Sequence, residues 1–179
     1  MVSGIGADDS PASGDVATMA ESDFLSLVNS TAPPGIALVR ARCTAASRER
    51  QEVVVSCEFD DSFTNVTGVV CGGFVAHILD HAATLASTLM SGKICPSIEM
   101  KTNFIAPASP GSHVAVGKVV HIGKSLAFTS ATLMDANSRL IATATVTSTL
   151  IAMRNLHDRS TANKQSGVGG GPEGSSATG

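Results

Sequence analysis

Tryptophan and tyrosine are missing from this chain, and only six phenylalanines are present. A core must therefore be assembled from Val, Ile, Leu, Ala and Met with few rings. A platform that stacks nucleic-acid bases on aromatics is excluded. There is no dense basic stripe either, and the formal net charge is −3, so duplex nucleic acid is not the expected partner. No apolar run approaches the length of a membrane span, so membrane insertion is not expected. The four cysteines, Cys43, Cys57, Cys71 and Cys95, form no C-x-x-C pair, which removes the common zinc and dithiol spacings. The first residues show neither a basic-then-apolar export pattern nor the arginines of a transit peptide. Reduced thiols in a cytoplasmic protein are the expectation, with a mitochondrial setting also open.

What charge there is lies unevenly. Residues 1–33 carry Asp8, Asp9, Asp15, Glu21 and Asp23 and no base. Residues 91–154 carry Lys93, Lys101, Lys118, Lys124, Arg139 and Arg154 against Glu99 and Asp135. That half can meet an anionic ligand, although solvated strand ends and turns account for the same charges.

The chain length suits one domain with a real core. Residues 1–20 read as a disordered leader and 155–179 as a flexible Gly/Ser-rich tail, leaving 21–154 as the folded domain. "SDFLSLVNS" (22–30) predicts a short helix capped by Ser22 and stopped by "APPG". "IALVRARCTAA" and "EVVVSCEFD" predict two strands around a polar turn. From Gly72 to Ser91 apolar residues recur at helical spacing, with Gly92 as the stop; twenty residues make a helix about 30 Å long. Four strand-like runs follow at 97–106, 113–122, 125–135 and 139–151, the last three joined by short hairpin connections. A long apolar helix beside a mostly antiparallel sheet needs that sheet to wrap it.

Polar groups interrupt the helix. At about 100° per residue, His77, Asp80, His81, Thr84 and Thr88 share one face. An ordinary exposed helix face has this look. Val75, Leu79, Ala83 and Ala86 border the stripe closely, however, and an Asp so placed suits a ligand cleft or a subunit interface. "HILDH" (77–81) resembles the H-x-x-E-H zinc pattern, but Asp is a methylene shorter than Glu and no clear third ligand follows, so no metal is expected. "GKVVHIGKS" (117–125) fails as a phosphate loop in both spacing and the strand that follows. Cys71, beside a helix start, is either an activated thiol or a small buried residue. Gly72 leaves its backbone N–H open to a ligand carbonyl at the positive end of the helix, a ready oxyanion site. Asn65, in the loop before it, can add a side-chain amide.

The segment N65-x-x-G68-x-x-C71-G72-G73 followed by Asp80 resembles the N-x-x-G-x-x-H-G-G-x(6)-D pattern of hotdog-fold acyl-CoA thioesterases, the group that includes bacterial PaaI-type enzymes and acyl-CoA thioesterase 13. "PSIEMKTNFIAPASPG", "GKSLAFTSATLMD" and "RLIATATVTSTL" extend the resemblance over roughly residues 36–151. The resemblance implies an α+β hotdog fold, a long central helix wrapped by a mostly antiparallel sheet of five or six strands. It also implies a homodimer or a homotetramer built as a dimer of dimers, with active sites at the subunit interface.

By position, Asp80 resembles the catalytic carboxylate, which activates water or attacks directly across the interface. Gly72 resembles the glycine that polarises the thioester carbonyl, Asn65 its helper, and Ser97 the serine that orients water near Asp80. Gly73 lets the helix begin close to the ligand. Lys118, Lys124 and Arg139 are candidates for the CoA phosphates on charge alone. The reaction implied is hydrolysis of an acyl-CoA with no cofactor. One departure stands out: Cys71 occupies the position of the family's histidine. It raises a second reading, an acyl-CoA-binding protein without turnover.

Overall fold

The computed structural model describes residues 16–152. The leader before residue 16 and the tail from 155 onward lie outside the described residues. In chain order the elements are α1 (Glu21–Ser30), α2 (Pro34–Leu38), β1 (Arg42–Ser47), β2 (Glu52–Phe59), a 3₁₀ turn (Asp61–Phe63), α3 (Gly72–Ser91), β3 (Ser97–Phe104), β4 (Gly111–Ile122), β5 (Leu126–Asp135) and β6 (Leu140–Thr149). The strands form one sheet in the order β1-β2-β4-β5-β6-β3, antiparallel throughout. No described helix is long and apolar enough to cross a membrane.

The sheet follows from alternation. On β2, Val53, Val55, Cys57 and Phe59 are buried while their neighbours face outward. On β5, Ala127, Thr129, Ala131 and Leu133 do the same. All turn toward α3, whose buried side is Val75, Ile78, Leu79, Ala82, Ala83, Ala86, Ser87 and Leu89. The helix is the one its periodicity predicts, and Gly92 caps it in the left-handed region (φ 66°).

A core this poor in aromatics is filled by bringing backbones together. At Gly117 on β4 a Cβ atom would lie 2.1 Å from the carbonyl oxygen of Ala82. The helix therefore rests directly on the strand, and the surrounding positions Ala82, Ala83, Ala115 and Ala131 are small to match.

Three local expectations change. Ile36, Ala37 and Leu38 belong to α2 rather than to a strand, and β1 begins at Arg42. The reason is Pro34 at the first helical position, where its fixed φ and missing N–H suit a helix start. The α1 cap is Ala20, with no side-chain capping bond, in place of Ser22. Val16, read from composition as part of the leader, is buried beside Phe24 and Leu89. Arg48 holds it there: its guanidinium donates to the carbonyls of Val16 (2.7 Å), Met19 (3.0 Å) and Leu89, tying the entry turn to the last turn of α3.

Gly117→Ala should destabilise the fold more than an ordinary small-to-large change, by about 3 kcal/mol, because the obstructing atoms are helix backbone that cannot rotate away. Urea unfolding checks this; an unchanged midpoint would refute the close approach.

Candidate active site

The loop before α3 is built by Asn65. Its Oδ1 accepts from Thr67 N (2.9 Å), Thr67 Oγ1 (2.6 Å) and Val69 N (3.3 Å), so the side chain closes a tight turn. Gly68 sits in that turn at φ 75°, where a Cβ is disfavoured, which accounts for the glycine in the motif. The chain then returns through Val70 N to Ala108 O (2.9 Å) and Cys71 N to Phe63 O (2.9 Å). Asn65 Nδ2 has no acceptor among the described residues and stays available as a donor.

Cys71 is the helix N-cap (φ −57°, ψ 134°), and it makes no side-chain capping bond. Its carbonyl accepts from Phe74 N, whereas the N–H groups of Gly72 and Gly73 have no acceptor among the described residues. Two unmatched donors thus stand at the positive end of a twenty-residue helix. The ring of Phe104 lies across Gly72: a Cβ there would come within 2.9 Å of its Cζ. Cavities open on both sides of this helix start. One, of about 460 Å³, runs between Gly72, Val75, Phe104, Pro107 and Ile141. The other, of about 330 Å³, lies between α2 and α3, against Cys71 and Gly73.

Asp80 lies two turns further along α3, about 12 Å from Gly72 at 1.5 Å per residue. Its Oδ1 accepts a 2.5 Å hydrogen bond from Ser97 Oγ, at the start of β3. Ser97 and Asp80, both singled out by the resemblance, are therefore in direct contact. The rest of the polar stripe is otherwise engaged. Thr84 Oγ1 turns back to the carbonyls of Asp80 and His81. His77 Nε2 is 3.2 Å from Gly35 O, joining α2 to α3. Burial, with His77 adding to it, pushes His81 down from the ordinary 6.5 to about 4. Among the described residues no group of three or more His, Cys, Asp and Glu side chains could hold a metal ion.

The basic residues are dispersed. Arg139 pairs with Asp135 (3.0 Å) and donates to the carbonyl of Pro107 (3.1 Å), a lining residue of the larger cavity, while its own side chain lines a separate cavity with Ser109, His113 and Asp135. Lys118 is exposed on β4, opposite Glu52 and Ser130 in the register. Lys124 lies in the β4–β5 hairpin, whose strand pairings place it at the Ser97 end of the sheet. Neither lysine lines a cavity at Gly72. Phe104 was missed from sequence; the available signal was a rare aromatic at the end of an edge strand.

The thioesterase superfamily model matches residues 67–142 of this chain. Human acyl-coenzyme A thioesterase 13 is 31% identical over 108 residues, spanning 58% of this chain and 76% of the human protein. The chain belongs to the thioesterase superfamily. As a superfamily member it is a thioester hydrolase. Solved structures agree on its hotdog fold. The PaaI protein of the Escherichia coli phenylacetic acid degradation operon superposes with a TM-score of 0.66 at 16% identity, covering 72% of this chain and 91% of that one. A Streptococcus mutans protein solved with acetyl-CoA gives 0.56 at 23% identity, covering 60% and 86%.

The histidines of this superfamily member carry a pH signature. His81 is neutral in the fold, while the unfolded chain takes up its proton near 6.5. Its stabilising effect is therefore complete above that value and declines as the pH falls toward about 4. The loss should be on the order of 2 kcal/mol, and His81→Gln should reduce it. Denaturant unfolding at pH 7 and pH 4.5 measures both; an equal loss in the variant would contradict the assignment.

Proposed function

We propose that the protein hydrolyses acyl-CoA thioesters to the free acid and CoA, with Asp80 and Gly72 acting on one carbonyl from two copies of the chain. The observation that carries this reading is the Asp80–Ser97 hydrogen bond, a carboxylate fixed on a helix face beside the sheet edge. Acyl-CoA as the substrate is supported by the name of the human relative and by the acetyl-CoA held by the Streptococcus mutans protein.

Distance supports the two-copy arrangement. Gly72 and Asp80 of one chain are about 12 Å apart, whereas groups that act on one carbonyl must each come within about 3 Å of their targets. Strand β3 supplies a way to bring them together. It is a sheet edge, largely exposed on both faces, with Ile98 61% and Phe104 58% accessible, and Ile105, just past its end, 55%. An unpaired apolar edge is a template for another strand. A two-fold pairing of β3 with its own copy is antiparallel, so it sets the Phe104 end of one strand against the Ser97 end of the other. Gly72 of one chain, beside Phe104, then faces Asp80 of the partner subunit, beside its Ser97.

In that arrangement the thioester carbonyl accepts from Gly72 N–H, with Asn65 Nδ2 as a second donor. Asp80 either takes the proton of an attacking water or attacks the carbonyl itself, and Ser97 Oγ holds the carboxylate in place. As the tetrahedral centre collapses, the C–S bond breaks and the CoA thiolate leaves, taking the proton that Asp80 removed from water; where Asp80 itself attacks, water then hydrolyses the mixed anhydride left on it to the free acid. Arg139, hydrogen-bonded to the carbonyl of Pro107, is the candidate for the CoA phosphates on the Gly72 side. Lys124 of the partner subunit lies on the Asp80 side. Homodimer formation is thus part of the proposal, and a homotetramer adds a second such pair.

Replacing Asp80 by Asn should lower kcat by about two orders of magnitude. Ser97→Ala should lower it by roughly tenfold, the loss of one charge-assisted hydrogen bond. CoA release from a panel of acyl-CoAs, followed with a thiol reagent, measures both. Full turnover in Asp80→Asn would reject the assignment. Binding with no turnover by the wild type would favour the second reading raised by Cys71.

A further inference from the structure

The wall opposite Gly72 has no regular structure of its own. Residues 105–110 connect β3 to β4 without helix or strand, and Ile105, Ala106, Pro107 and Ala108 line the larger cavity with Gly72. Pro107 and Pro110 bring no backbone N–H to this segment. Its start is held by Ile105 N and Ala106 N, which both donate to Ile141 O (2.8 and 3.1 Å). Its middle is held through carbonyls. Pro107 O accepts from Arg139 Nη2 (3.1 Å). The buried Ala108 accepts at its carbonyl from Val70 N (2.9 Å), two residues before Gly72.

Arg139 is itself held. Asp135 Oδ1 accepts from the backbone N–H of Asn137 (2.9 Å) and of Arg139 (3.0 Å), which closes the β5–β6 turn. Asp135 Oδ2 accepts from Arg139 Nε (3.0 Å). The carboxylate thus fixes the guanidinium plane and leaves Nη2 directed at Pro107 O. A route of bonded neighbours runs from Asp135 through Arg139, Pro107 and Ala108 to Val70 and the N-cap of α3.

We propose that the Asp135–Arg139 pair is a positioning device for the Gly72 amide: it holds the β3–β4 connection against the loop that enters α3, and so sets where a thioester carbonyl is bound. The inference rests on the proposed use of Gly72 N–H, and it gives Arg139 a role separate from any contact with CoA phosphates. The Arg139 side chain is half exposed, and exposed pairs contribute little to global stability. Their loss at this place should show in rate, because a misplacement of about 1 Å can cost about a hundredfold.

The two roles predict opposite results in Asp135→Asn. That variant keeps an oxygen for the turn and replaces the one that accepts from Arg139 Nε. If Arg139 served phosphate binding alone, removing the neighbouring acid would free it and improve acyl-CoA binding. As part of a positioning pair, Asp135→Asn should act like Arg139→Met and lower kcat by about tenfold. The full-length wild type and both variants are compared on acetyl, octanoyl and phenylacetyl thioesters of CoA and of N-acetylcysteamine, a carrier without phosphate. The same fall in kcat is expected on both carriers and in both variants, with urea midpoints unchanged. A loss confined to Arg139→Met on the CoA thioesters, seen as a higher KM, would overturn the proposal and leave the hydrolase reading intact. A wild type inert on every thioester would instead remove the reading on which the inference rests. Amide exchange adds a measure that does not depend on turnover. The N–H of Val70 should exchange about tenfold faster in both variants, as its bond to Ala108 O opens more often. Unchanged exchange at Val70 in both folded variants would also overturn the proposal.

Discussion

The contact between helix α3 and strand β4 at Gly117 is closer than side chains normally permit. A Cβ at that position would fall 2.1 Å from Ala82 O. With so little space between backbones, the core needs no large rings, and alanines on both elements fill it. Everything chemical in the molecule is indexed to this seat. It fixes how α3 lies across the sheet, and so which way its N-terminus opens and which edge Asp80 faces. A thicker core would lift the helix away from β3 and separate Asp80 from Ser97. The sheet thus works as a template for a helix whose amides at 72–73 and carboxylate at 80 the proposed mechanism uses separately.

In the proposed reaction, their separation leaves one copy of the chain incomplete. Two turns of rigid helix cannot be shortened, and no loop among the described residues brings a second carboxylate to Gly72. The same fold leaves β3 bare along its edge and apolar at Ile98, Phe104 and Ile105. An edge of this kind is a liability for a monomer and an asset for a symmetric pair. The antiparallel sense of a two-fold strand pairing is what crosses the ends over, and it requires no feature beyond the strand itself. In the proposed mechanism, stability, assembly and chemistry rest on one geometric choice.

Much of this was legible in the sequence where the signal is periodic or local. The helix from Gly72 to Ser91, its stop at Gly92 and the hairpins after β4 and β5 follow from spacing and turn residues. The motif around Asn65, Gly72 and Asp80 was readable because short-range geometry fixes its intervals, and Ser97 was reached through resemblance and then found bonded to Asp80. Residues defined by distant contacts were not legible. Val16 is buried because Arg48, far along the chain, holds its carbonyl. Ile36–Leu38 reads like the start of a strand, and only the proline before it and the hydrogen bond that His77 donates to Gly35 O show why it coils. Phe104 covers Gly72 across the fold, which no local pattern reports. Charge alone ranked Lys118, Lys124 and Arg139 together; the structure separates them by which end and face of the sheet they occupy.

The account turns on one carbonyl being served by two chains, and subunit complementation tests that most directly. Gly72→Pro removes the N–H while keeping a residue suited to a first helical position, and the half-exposed Phe104 ring can yield to it. Asp80→Asn removes the carboxylate. Each variant alone should be nearly inactive. Unfolded and refolded together, they form mixed dimers in which one of two sites has both groups intact, so about a quarter of wild-type activity should return. Mixed dimers that form yet remain inactive would place Gly72 and Asp80 in the same chain's chemistry and contradict the account.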